Sequence, residues 1–83
     1  MNKLETLQAA LVARDEEIIG YQINIDNYTR AIEKINTEHS DKPAIVEFRD
    51  RLAELLEQHY TEQLKAQIIR DVIADQLNEL EAP

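Results

Sequence analysis

A seven-residue frame runs through residues 4–35 of this chain and then stops at a single break, and that pattern leaves few folds open. Leu4, Leu11, Ile18, Ile25 and Ile32 fill its a positions, and Leu7, Arg14, Tyr21, Tyr28 and Ile35 its d positions. Only Arg14 is neither apolar nor aromatic. The alternation at Tyr21, Ile23 and Ile25 imitates a half-buried strand. A strand has no use for a spacing of three and four sustained over five heptads, whereas a helix in a left-handed supercoil does.

Asn2 is placed to cap this helix, with Glu5 at the third position, and the helix is expected to span about residues 2–38. At 1.5 Å per residue that is roughly 55 Å. The stretch TEHSDKP, residues 37 to 43, then interrupts it. Thr, Ser and Asp compete for backbone hydrogen bonds, and Pro43 disfavours helical geometry at Lys42 while suiting the first turn of a new helix. A turn is expected at about 38–42 and a second helix at about 43–80, with Pro83 beyond it.

The expected seam of the second helix is Ile45, Phe48, Leu52, Leu55, His59, Glu62, Ala66, Ile69, Ile73, Gln76 and Leu80. A short turn between long helices makes an antiparallel hairpin, and level residues are expected to have numbers summing to 80, which puts the fold-back point at Ser40. Tyr21 then faces His59, Ile18 faces Glu62 and Arg14 faces Ala66, with Arg14 and Glu62 as a polar pair that specifies register. His59 is read as a seam residue hydrogen-bonded to Tyr21 or Glu62. The competing fold, a parallel dimer of unbroken helices, has Pro43 and its polar neighbours against it.

Apolar residues also lie off the seam. Val12, Ile19 and Ile23 fall at b and f of the first helix, and Leu56, Tyr60, Leu64, Ile68 and Val72 run along the second at the same height. Fully burying one such side chain is worth about 1.5–3 kcal/mol. Eight left wet would forfeit as much as a small domain's whole stability, roughly 5–15 kcal/mol. The eight are therefore read as a partner or dimer interface. The fold class expected is all-α: one hairpin domain, residues 1–83, coiled-coil-like and pairing with a second copy into a four-helix bundle.

Composition narrows the function. Seventeen Asp and Glu against nine Lys and Arg leave a net charge of -8, which repels nucleic acid and anionic membrane and favours protein partners with basic surfaces. The absence of Cys, of an apolar run long enough to cross a bilayer and of a signal-peptide pattern gives a soluble cytoplasmic protein as the expectation. No phosphate loop, nucleophile elbow or zinc spacing is present. His39 reads as a solvated turn residue, and His59 with Glu62 runs opposite to the Glu-x-x-His order of bundle metal sites. No enzyme activity, metal or cofactor is expected.

Carboxylates gather at Asp15, Glu16 and Glu17, at Asp50, Glu54 and Glu57, and at Asp71, Asp75 and Glu79, with Glu5 near the last group. Carboxylates one turn apart, about 5–6 Å, approximate the phosphate spacing of a nucleic-acid strand. Three functions are expected of such a chain. The first is a self-associating interaction or regulatory module, the second an acidic DNA mimic that inhibits a nucleic-acid-binding protein or nuclease, and the third a structural spacer or assembly protein.

Overall fold

The computed structural model describes residues 2–82, so Met1 and Pro83, the two ends of the expected domain, lie outside the described residues. Two helices, α1 (Lys3–Glu38) and α2 (Pro43–Glu81), pack against each other as a hairpin, and no strand is present among the described residues. The rod measures 63 × 17 × 16 Å, close to the roughly 58 Å that 39 residues span as α-helix.

Local chemistry sets the ends. The Oδ1 of Asn2 accepts from the Glu5 N–H at 2.8 Å, and the Thr6 hydroxyl donates to the Asn2 carbonyl, so the first turn of α1 is capped as its sequence requires. His39 closes α1 through its N–H to the Ile35 carbonyl. Its ring Nδ1 lies 2.6 Å from the Lys42 ammonium. Lys42 is extended, as the residue before a proline should be, and Pro43 starts α2 at its first helical position, where no N–H is needed. The Lys42 carbonyl takes the amides of Ile45 and Val46.

All ten expected seam residues of α1 are partly or fully buried, with Ile25 at 2% and Ile35 at 5% exposure. On α2 half of the expected seam is right. Ile45, Leu52, His59, Ala66 and Ile73 face inward, but the alternate positions are Arg49, Leu56, Gln63, Arg70 and Leu77, each one residue later than expected. Phe48, Leu55, Glu62, Ile69 and Leu80 are exposed instead, and Gln76 is half-buried beside Leu77. Successive residues lie 100° apart around a helix, so α2 is turned about its axis by about half that step.

A polar ladder accounts for the rotation. Arg70 donates to Asp15 at 3.0 Å, Gln63 to Gln22 at 3.0 Å and Arg49 to Asn36 at 2.9 Å. The members recur at multiples of seven along each helix, beside the seam of α1 and inside that of α2. Arg49, Gln63 and Arg70, each with a polar partner on α1, thus hold the seam positions expected for Phe48, Glu62 and Ile69, while Leu56 and Leu77 take those of Leu55 and Gln76. Pairing the inward positions of both helices gives level residues whose numbers sum to 84, one helical turn beyond the expected register. Leu7 then meets Leu77, Leu11 meets Ile73, and Ile32 meets Leu52. His59 accordingly sits between Tyr21 and Tyr28, edge-on to both at 5.8 and 5.1 Å.

Two expected pairs are replaced. Arg14 contacts Glu17 on its own helix at 3.2 Å, and Glu62, rotated outward, takes Lys65 at 2.9 Å. The ring of His59 donates from Nδ1 to the Leu55 carbonyl at 2.8 Å and meets Tyr21 through an aromatic contact.

Candidate interaction surface

The core holding this hairpin together is thin. Among the described residues Ile25, Ile35, Leu52, Ala66, Ile73 and Leu77 are buried, while eleven large apolar side chains remain between 37% and 61% exposed. The seam divides the exposed surface into two sides. With Arg49, Leu56, Gln63, Arg70 and Leu77 at a and Ile45, Leu52, His59, Ala66 and Ile73 at d of α2, the ladder and the e and b positions of both helices mark the first side, with f at its outer edge, and the g and c positions mark the second.

Of the eight expected interface residues, six lie on the first side. Val12, Ile19 and Ile23 come from α1, and Tyr60, Leu64 and Ile68 from α2. At the observed register Ile19 is level with Lys65 and Ile23 with Thr61, so the two sets stand side by side. Between them runs an open groove of about 540 Å³ lined by Ile18, Gln22, Tyr60, Gln63, Leu64 and Gln67. Leu56 does not belong to this side, because the rotation of α2 draws it into the seam. Val72 leaves it too. Residues four apart advance 40° around a helix, and the run Tyr60, Leu64, Ile68, Val72 winds past the back of α2 onto the second side.

That second side was hidden from apolar patterning, which assigned its residues to the core. Phe48, Leu55 and Ile69 stand along α2 at 51%, 37% and 48% exposure, joined by Val72. On the facing strip of α1 small residues, Ala10, Ala13, Gly20 and Ala31, alternate with Glu17, Asn24, Asn27 and Lys34. A Cβ added at Gly20 would meet nothing within 4 Å, so this strip is open to a neighbour.

Charge is partitioned as unevenly as shape is. The first side carries twelve of the seventeen carboxylates, opposed by Arg30 and by the seam residues Arg49 and Arg70, which lean onto it. The second side carries Glu17, Glu38, Glu62 and Glu79 against Lys3, Lys34, Arg51 and Lys65, with the seam residue Arg14 leaning onto Glu17, and so has no net negative charge. Essentially all of the net charge of -8 therefore lies beside the first apolar patch.

Each acidic cluster has its own place. Asp15 holds Arg70 across the seam, Glu16 is exposed and Glu17 faces Arg14. The hydrogen bond and charge of Asp15 raise the Arg70 guanidinium above its ordinary pKa. Asp50 contacts Arg49 at 3.2 Å, with Glu54 and Glu57 exposed beyond it. Asp71 accepts from Gln67 at 3.0 Å and lies 3.6 Å from Arg70, while Asp75 and Glu79 are exposed. Glu5 is level with Glu79 at the open end. The Asp50 and Asp71 clusters thus flank the apolar patch at both ends of the first side, with Glu79 just around the edge, while Asp15 and Glu16 stand between Val12 and Ile19, Asp15 paired with Arg70.

Among the described residues no three His, Asp or Glu side chains are grouped to hold a metal ion, and no helix is long and apolar enough to cross a membrane. No protein-family model, curated protein or solved structure matches this chain.

Proposed function

We propose that this chain is a non-enzymatic protein–protein interaction module that associates with itself, two hairpins meeting on their neutral sides as a four-helix bundle. The observation that carries this is the imbalance between six buried side chains and eleven large apolar ones left exposed. Burying a side chain fully is worth about 1.5–3 kcal/mol, so half-exposed Phe48, Leu55, Ile69 and Val72 contribute about 3–6 kcal/mol per copy. A pair of copies gains about twice that, of the order of the roughly 4–15 kcal/mol that association costs. A two-fold axis sets each patch against its own image, so a neutral side suits self-association and an acidic one opposes it. The small residues of α1 leave room for the ridge of α2.

Sedimentation at micromolar concentration tests this. Wild type is expected to be a dimer, and L55E/I69E a folded monomer. A wild-type chain that stays monomeric up to millimolar concentration refutes self-association.

A further inference from the structure

We infer that the first side is a docking surface for a basic amphipathic helix, one whose apolar face is bounded at both ends by Lys or Arg. This rests on the reading of the hairpin as an interaction module and names the partner that its free side fits.

Three observations converge on that occupant. Val12, Ile19 and Ile23 from one helix and Tyr60, Leu64 and Ile68 from the other give an exposed apolar strip about two to three helical turns long. An amphipathic helix lays apolar residues at i, i+3, i+4 and i+7 into such a surface. The strip is indented by the groove beside Ile18, where Gln22, Gln63 and Gln67 add amide donors and acceptors around Tyr60 and Leu64. One large anchoring side chain fits there, with polar groups at the rim to meet backbone or hydroxyl groups that come with it.

The charge around the strip decides what kind of helix it takes. Asp26, Asp50, Glu54 and Glu57 stand at the turn end, and Glu5, Asp71 and Asp75 at the open end, all exposed. A second copy of this chain is therefore a poor occupant. Whether the two-fold axis runs along the rod or across it, acidic end meets acidic end. A helix with basic ends meets opposite charge at both ends and a mainly apolar surface in the middle, where Asp15 is already paired with Arg70 and Glu16 stands at the outer edge. Complementary charge of this kind steers encounter and fixes the orientation of docking.

The test uses the full chain and two synthetic amphipathic peptides. Both carry the same central Leu and Ile face; one is flanked by Lys at each end and the other by Glu. Fluorescence anisotropy is measured at about 0.1 M and about 1 M salt, where the Debye length falls from about 10 Å to 3 Å. The Lys-flanked peptide is expected to bind at least about tenfold tighter at the lower salt, with most of that preference lost at the higher. I19E/L64E is expected to abolish binding while the protein remains a dimer. E57K/D71K, which leaves the apolar strip intact, is expected to reduce the preference for the Lys-flanked peptide severalfold at the lower salt.

Equal affinity for the two peptides overturns the inference and leaves self-association standing. Binding that survives I19E/L64E and disappears in E57K/D71K also overturns it, in favour of charge capture alone, as a mimic of nucleic acid would show. An I19E/L64E protein that becomes monomeric assigns this side to the second copy and overturns it as well. A wild-type protein that is monomeric and binds neither peptide refutes the interaction module itself.

Discussion

Ile23 and Ile25 stand two residues apart in the same helix, yet the fold gives them opposite roles, and replacing each with Ala separates those roles. Ile25 is 2% exposed, the most buried side chain of the core, and Ile23 is 56% exposed. Truncating a buried Ile to Ala costs about 2–5 kcal/mol, depending on how far the site collapses into the cavity. A two-helix seam can close up more readily than a multilayer core, so the lower half of that range, about 2–3.5 kcal/mol, is expected at Ile25. For a domain of this size each kcal/mol shifts Tm by about 4–8 °C, giving a fall of roughly 8–28 °C. Exposed substitutions are usually within about 0.5 kcal/mol, and Ala is the better helix former, so Ile23→Ala is expected to melt within a few degrees of wild type. Far-UV circular dichroism at one fixed protein concentration reads both, since dimerisation makes Tm depend on concentration. Equal losses at the two positions, or a larger loss at Ile23, would refute the placement of the seam.

The register of the helices is open to distance measurement. Spin labels at Glu16 paired in turn with Thr61, Ile68 and Asp75 are expected to be closest for Ile68, with the other two alike; a sum of 80 would instead bring Thr61 as near as Ile68. Asn2→Ala removes the side-chain acceptor of the Glu5 N–H and is expected to cost about 0.5–2 kcal/mol in chemical denaturation; no loss would show that the cap contributes nothing. Asp75 lies one turn from Asp71 and one from Glu79, so Asp75→Lys turns two repulsions into two attractions and is expected to stabilise by a few tenths of a kcal/mol per pair in thermal melts. A lower Tm would contradict the view of that surface as mutually repelling carboxylates.

Much of this fold was legible in the sequence because it rests on short-range rules. Asn2 and Pro43 mark helix starts by their own chemistry, and all ten residues that the frame from Leu4 to Ile35 names are partly or fully buried in α1. The face of α2 was not legible by the same rule. Ile45, Leu52, His59, Ala66 and Ile73 belong equally to a seam that adds Phe48, Leu55 and Ile69 and to one that adds Leu56 and Leu77. Counting apolar residues favours the first; the structure takes the second, because Arg49, Gln63 and Arg70 find partners in Asn36, Gln22 and Asp15. The matching seven-residue spacing of those polar residues was the available signal, and reading hydrophobic positions alone passes over it. The exposed stripe of Val12, Ile19, Ile23 and Leu64 was legible, since neither frame buries it, whereas Phe48, Leu55 and Ile69 became surface only once the rotation of α2 was known.

The central claim is that this hairpin carries two apolar sides of unlike charge with different occupants. Side-chain methyl and aromatic NMR resonances test it in one experiment, read first on dilution from millimolar to low micromolar and then on adding the Lys-flanked peptide. Dilution is expected to move the signals of Phe48, Leu55 and Ile69, and the peptide those of Val12, Ile19 and Leu64. If one and the same set of residues responds to both, the hairpin has a single binding surface and the division into two sides is wrong.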